Sequence, residues 1–228
     1  MLQAGGHQLI KLKDGLVIKP TKLSEVEFYK IYCKKYESLY DFIPKFYGYG
    51  LTSDIKSMFT NEEYSNIIKK GYTHYIMLEN LLTKIDKNII DIKLGSIHWK
   101  SDATQEIINN HKLRNELSTT ERYKFRIDGY IINNICSDKD VCRNMTIDEI
   151  TSILSNINKL HINEWINNFH SVISKINLNI YGPSILIIYD KLETLIKLID
   201  FTVYEISDND RTDDILESLE SIKKIINN

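Results

Sequence analysis

The sequence predicts an α+β protein of two lobes, a small β-rich one in residues 1–80 and a larger mixed one in 81–228, on three observations. Alternating apolar runs joined by turn residues crowd the first third of the chain. Beyond Asn80 helical periodicity takes over. A polar break at Glu79 to Leu82 separates the two without a linker rich in Gly, Ser or Pro. With 228 residues and 43% hydrophobic composition there is enough apolar mass for a core. The net charge of −2 gives no overall reason to expect nucleic acid or an anionic membrane as partner. No run approaches the ~18 apolar residues of a membrane span, and MLQAGGHQLIKLKDG has no apolar signal-peptide core. The expected setting is intracellular, cytoplasmic or nuclear, and the expected state is a monomer. Cys33, Cys136 and Cys142 are odd in number and lack metal-type spacing, so they read as reduced thiols.

Each element follows in order. LIKLKDGLVIKP is two alternating runs joined through Asp14-Gly15, a pair suited to a tight hairpin turn, and it closes at Pro20. SEVEFYKIYCKKYESL reads as a helix, with Ser24 and Glu27 in a capping-box pattern and Val26, Tyr29, Cys33 and Tyr36 at helical spacing. FIPKFYGYGL turns into a strand, Thr52 to Gly71 is polar and weakly patterned, and YTHYIMLENLL is a second apolar strand. NIIDIKLG is a short strand, and DATQEIINNHKLRNEL a helix that Asp102 could cap. Thr146 and Glu149 open a helical stretch that runs, with a break, toward Ile176. PSILIIYD and LIKLIDFTVYE are strands at hairpin-like distance, and DDILESLESIKKII closes the chain as an amphipathic helix.

This order sets charged residues where phosphoryl transfer needs them. Lys19 ends a small-lobe strand, a helix with Glu25 and Glu27 follows, Glu79-Asn80 sits at the lobe junction, and Asp200 lies in the late run LIDF. A kinase cleft uses a strand lysine for nucleotide phosphates, an acid on the next helix to orient it, junction backbone for adenine, and an Asp for Mg2+. Each element alone has a plain alternative: a solvated strand end for Lys19, capping for Glu27, a strand terminus for Asp200. No GxGxxG loop or HRD motif is present, which argues against an ordinary protein kinase.

The segments together resemble the inositol polyphosphate kinases. IIDIKLG is similar to the family's PxxxDxKxG signature, LIDF to its metal-binding IDF motif, and PSILIIYD to its SSLLxxYD segment. VIKP, EVEFY, FIPKFYGY, YIMLENL and RYKFRIDGYII fall in the family's order, so the likeness runs from Ala4 to Ile226. One departure is Lys87 at the signature's proline position, which loosens the strand entry without removing a reactive group. The resemblance implies a kinase-like two-lobed fold with ATP in the cleft and Mg2+ at Asp200. It implies Ile18, Lys19, Met77, Glu79, Asn80 and Leu81 as nucleotide contacts, and Glu25 or Glu27 as the partner of Lys19. Glu25, Arg126 and Ser184 are expected to give structural support.

On a strand of period two, Asp91, Lys93 and Gly95 share one face and Ile90, Ile92 and Leu94 the other. An exposed ion-paired face would explain that alternation. The resemblance instead implies Asp91 as base or orienting group, Lys93 as counter-charge near the reacting hydroxyl, and Gly95 as a point of close backbone approach. From Asp91 to Arg126 seven Lys or Arg face five acids, and His98 and His111 add donors. Within a helical substrate segment of about residues 96–120, His98, Lys100, Lys112 and Arg114 are the expected substrate contacts, any one of which could instead belong to a solvated helix face. A hexakisphosphate would bring a charge on the order of −9 to −12 and needs such a cluster. Asn80, where related trisphosphate kinases and multikinases more often carry Asp, points to hexakisphosphate as acceptor and a diphosphoinositol product. A multikinase or trisphosphate 3-kinase is the alternative.

Overall fold

The computed structural model describes residues 9–82, 88–206 and 212–227. Lys87 lies outside them. The described residues fall into two compact units, within His7–Thr83 and within Lys84–Asn228. The α+β prediction holds in both: a sheet with flanking helical turns in the first, a larger sheet backed by helices in the second.

The small unit is a four-stranded antiparallel sheet. β1 (Lys11–Lys13) and β2 (Leu16–Thr21) form the predicted hairpin, in which both turn residues take positive φ, 51° at Asp14 and 78° at Gly15. The next segment is not one regular helix. An α-turn (α1, Leu23–Glu27) runs into a π-helical turn at Phe28–Tyr32 and a last α-turn (α2, Cys33–Lys35). The expected Ser24–Glu27 capping box is absent, because the helix starts two residues earlier than a Ser24 cap requires, at Leu23 after Lys22, and no side chain caps it. β3 (Phe46–Leu51) lies at the sheet edge. The polar stretch after it is structured: a 3₁₀ turn at Thr52–Met58, then α3 (Asn61–Lys69), whose Thr60–Glu63 capping box the sequence reading passed over. β4 (His74–Glu79) pairs with β2 and β3, giving the order β1-β2-β4-β3.

The large unit begins with β5 (Asn88–Leu94), central in a sheet that will be ordered β10-β9-β5-β6-β7. α4 (Gln105–Glu116) is capped by Thr104 rather than Asp102. Then come α5 (Thr120–Tyr123), β6 (Phe125–Ile132), β7 (Ile135–Cys136) and α6 (Lys139–Arg143). The predicted break in the long helical stretch falls between α7 (Ile147–Leu154) and α8 (Lys159–Ile173), where Asn158 caps the second helix. β8 (Asn179–Ile180) precedes the expected hairpin of β9 (Ser184–Tyr189) and β10 (Thr194–Ile199). β11 (Tyr204–Glu205) pairs with β8, and α9 (Thr212–Asn227) closes the fold.

One face of this sheet is apolar throughout. Ile90, Ile92, Leu94, Phe125, Ile127, Ile185, Ile187 and Leu198 are all buried, under α8 through Ile162, Ile166 and Phe169 and α9 through Ile215, Leu219 and Ile222. That leaves the opposite face to carry the polar residues of the same strands. Among the described residues no helix is long and apolar enough to cross a membrane.

Candidate functional site

Strand register assembles the polar face of the large unit. Ile199, Ser184, Lys93 and Arg126 stand in one row across β10, β9, β5 and β6, and Lys197, Leu186, Asp91 and Gly129 in the row two residues along. Paired residues of antiparallel strands point to the same side, so Asp91, Lys93, Ser184 and Arg126 share a face. Between Asp91 and Ile92 the pairing with β6 shifts by one residue, and the extra residue on β6 is Asp128. Asp128 stands beside Arg126, whose Nε donates to its Oδ1 at 2.9 Å, with Lys139 Nζ 3.8 Å from Oδ2. Arg126 also reaches Thr120 Oγ1 at 3.3 Å.

Asp91 is 6% exposed and its Oδ1 makes no hydrogen bond, while the Ser184 hydroxyl donates to the carboxylate. Burial, then the charges of Asp128 and Asp200, raise its pKa from 3.8 to about 7 against the opposing pull of Lys93 and Ser184. Asp128 behaves oppositely. Burial pushes its pKa up, but Arg126, Lys139 and Lys93 outweigh that and hold it below the usual carboxylate range. Asp200 follows β10 directly and has φ 69°, a left-handed conformation that costs a non-glycine residue on the order of 1 kcal/mol and that Asp tolerates better than most.

The Asp91 shift predicts a pH dependence of stability. An acid with a folded pKa above its unfolded one stabilises the fold fully below the unfolded value, here 3.8, and loses that contribution as pH rises through about 7. The full shift corresponds to roughly 4 kcal/mol. His98, pushed down from 6.5 to about 3 by burial and then by Arg126 and Lys93, acts in the opposite sense, losing stability as pH falls below 6.5. Comparing urea unfolding of wild type and Asp91→Asn at about pH 5 and pH 8 isolates the first effect: the variant should gain on wild type as pH rises. A difference that does not change with pH would show that Asp91 titrates normally.

The turn after β5 is built from the chain's other end. Gly95 has φ 78°, its N–H is shared between Lys124 O (2.8 Å) and Ser218 Oγ (2.9 Å), and its carbonyl accepts from His98 Nε2 at 2.8 Å. A Cβ here would sit 2.5 Å from Asp214 Oδ2. The glycine therefore admits α9 to the turn, a reason independent of any substrate. His98, expected as a donor to phosphate, is buried and neutral at pH 7, and its Nε2–H is already engaged by the Gly95 carbonyl. It packs edge-to-face on His111 at 5.7 Å. Burial, then Arg114, Arg126 and Lys93, lower the His111 pKa, so those three cations converge on one region. Lys112 does not join them. It is exposed on α4 two residues from Arg114, and so points to a different side of the helix. Lys100 lies over the Tyr204 ring at 5.9 Å, on a loop held by Glu205 through the Ser101 N–H and hydroxyl.

In the small unit Lys19 Nζ bonds Glu25 Oε1 at 2.8 Å, with side-chain exposures of 6% and 0%, and Thr21 Oγ1 donates to Glu25 Oε2. Glu27 is exposed, which settles the choice between the two acids. Register corrects two other assignments. Lys19 pairs with Ile76 and Val17 with Leu78, whereas Ile18 pairs with Met77 and Lys11, and Lys11 bonds Glu63 of α3 at 2.9 Å. Ile18 (2% exposed) and Met77 thus lie on the face opposite Lys19, under α3, and cannot flank a base bound beside that lysine. Met77 also fills the space over Gly48, where a Cβ would meet its Cε at 2.6 Å. The Glu79 N–H donates to Lys45 O at 2.9 Å, which removes it from the candidates for adenine. Asn80 Oδ1 accepts from Leu82 N at 3.0 Å, closing its own turn. Asp128, Lys139, Asp214 and Ser218 were missed by sequence reasoning; only the RIDG segment carried any trace of them.

The model of the inositol polyphosphate kinase family matches residues 75–227, about two thirds of the chain. The inositol polyphosphate multikinase of Schizosaccharomyces pombe is 33% identical over 132 residues, 57% of this chain and 49% of that protein, so the match spans about half the relative's length. A crystal structure of the Saccharomyces cerevisiae inositol phosphate multikinase in complex with ADP and Mn2+ has the same fold, with TM-score 0.68 and 21% identity over 92% of this chain and 97% of that one. A second inositol phosphate multikinase structure gives 0.66 and 19% over 89% and 98%.

Proposed function

Because the chain belongs to the inositol polyphosphate kinase family, we propose that it is an ATP-dependent kinase that phosphorylates a free hydroxyl of an inositol phosphate, as a multikinase rather than a hexakisphosphate kinase. The observation that carries the acceptor class is the Asp91 carboxylate, buried, with Oδ1 unpartnered and a pKa near neutrality. A hydroxyl must lose a proton as its oxygen attacks the γ-phosphorus and the bond to ADP breaks, and Asp91 is the group that takes it. Hexakisphosphate has no free hydroxyl; its acceptor would be a phosphate oxygen with a second pKa of ~6, largely ionised already. The relatives named multikinases support the same choice. The contrary indication, Asn80, loses its force, since Asp would accept the Leu82 N–H equally well.

Lys93 makes no ion pair or hydrogen bond among the described residues and is the counter-charge for the approaching phosphates. Arg114 and Arg126 extend that charge toward the ring phosphates. Lys19, oriented by Glu25, grips the nucleotide phosphates; Val17 replaces Ile18 as the candidate adenine neighbour, and Leu81 N–H stays a candidate for its edge. No group of three or more His, Cys, Asp or Glu among the described residues could hold a metal alone. That suits Mg2+, which uses one or two carboxylates and completes its shell with phosphate oxygens. Asp200 is the ligand this chain would supply, and the ion would screen charge between the β- and γ-phosphates.

The test is purified protein with ATP, Mg2+ and a panel of inositol tris-, tetrakis- and hexakisphosphates, with products resolved by anion exchange. Acceptors with free hydroxyls should be consumed and hexakisphosphate left intact. Preferred use of hexakisphosphate would overturn the hydroxyl-acceptor reading, and no turnover of any acceptor would overturn the kinase reading.

A further inference from the structure

The C-terminal helix holds the turn on which the acceptor residues depend. Asp214 Oδ2 accepts from Ser96 N (2.7 Å) and Ile97 N (2.9 Å), and Oδ1 accepts from the Ser96 hydroxyl (2.7 Å). One helical turn on, on the same side of α9, Ser218 Oγ accepts from Gly95 N at 2.9 Å and lies 2.5 Å from Lys124 O, which it can meet as donor. Three consecutive backbone N–H groups, Gly95 to Ile97, thus end on two side chains about 120 residues away in sequence. Free N–H groups at the end of a strand would otherwise need water or a ligand. Here they are closed off, and the turn joins Lys93, at the end of β5, to His98 and to the approach to α4.

We propose that Asp214 is a positioning residue for the acceptor: by capping the Ser96 and Ile97 amides it sets the direction in which Lys93 leaves β5 and α4 arrives with Arg114. This rests on the acceptor reading above. Asp214 touches no substrate and acts only through the turn, so it governs acceptor binding and leaves nucleotide binding alone. The chemistry is hydrogen-bond acceptance, not charge. Asn at this position can place its carbonyl oxygen where Oδ2 stands and let the Ser96 hydroxyl turn to accept from the amide, so Asp214→Asn should retain function while Asp214→Ala loses it.

Two readouts test this. Amide hydrogen exchange at Ser96 and Ile97 should accelerate at least about tenfold in Asp214→Ala and little in Asp214→Asn, with the sheet amides of β5 unchanged. In turnover assays with an inositol trisphosphate, Asp214→Ala should raise KM for the acceptor at least about tenfold, leave KM for ATP within about twofold, and be rescued by Asp214→Asn. If Asp214→Ala unfolds, Ser96→Ala, which removes the hydroxyl bond and keeps both backbone bonds, should show a smaller loss in the same direction. Unchanged exchange at both amides, equal losses for ATP and acceptor, or failure of Asn to rescue would each overturn the assignment. A wild-type protein that phosphorylates no inositol phosphate would instead overturn the functional reading, and the exchange result would still decide whether Asp214 holds the turn.

Discussion

Asp200→Ala should lower turnover by about a thousandfold or more, since an unscreened phosphoryl group at the transition state loses several kcal/mol of charge stabilisation. Two features single out this carboxylate. It follows the edge strand β10 in a left-handed backbone conformation, and its charge acts on the buried Asp91 two strands away on β5. Alanine is poorly suited to φ 69°, so a loss of activity could reflect a shifted chain. Asp200→Asn separates the two effects, because Asn tolerates that conformation and keeps the shape while removing the ligand charge. It should fold with wild-type stability and be as inactive as the alanine variant. Turnover of the Asn variant within about tenfold of wild type would remove Asp200 from the metal site.

The extent to which the site was legible in sequence depended on whether a residue's role is local. The Asp14-Gly15 hairpin, the β9–β10 hairpin, the Thr146–Glu149 cap and the amphipathic α9 all declare themselves within a few residues, since turn chemistry and periodicity act at that range. Asp91 and Lys93 were expected on one face of a strand because two residues suffice to show the alternation, and the register places them there. The errors came where a face or a distant partner decides. Ile18 looks like a pocket wall beside Lys19 until one notes that neighbouring strand residues point to opposite sides, a rule the sequence reading applied to Asp91 but not here. Gly95 and His98 looked like substrate groups because nothing near them in sequence shows Asp214 and Ser218 arriving from α9. Asp128 stands two residues from Arg126 on β6 and so shares its face by the same alternation, which the sequence reading did not extend to that strand.

Glu25→Ala should destabilise the small unit by about 3–5 kcal/mol, since it removes the carboxylate that Lys19 Nζ meets at 2.8 Å in a site where both side chains are nearly closed to water. The loss should show as a lower urea midpoint with an unchanged slope. Such a result alone would not say whether the pair is there for stability or for nucleotide phosphates, because a variant that barely folds also binds nothing. The distinction comes from replacing the network whole. Glu25 accepts from both Lys19 and Thr21, and Thr21 is fully buried, so removing the acid alone also takes away the acceptor of the Thr21 hydroxyl. Lys19→Met, Thr21→Val and Glu25→Leu together substitute apolar groups of similar size for all three. Buried ion pairs exchanged for apolar side chains are often neutral or stabilising, so the triple variant should recover most of the stability lost in Glu25→Ala. It should nonetheless be at least about a hundredfold less active, with the loss in KM for ATP as well as in kcat, because the Lys19 cation is no longer there to meet the nucleotide phosphates. A triple variant active within about tenfold of wild type would mean that Lys19 is a core cation with no part in catalysis. One as unstable as Glu25→Ala would mean that the packing around the pair, rather than the loss of the carboxylate beside Lys19, accounts for the single-site loss.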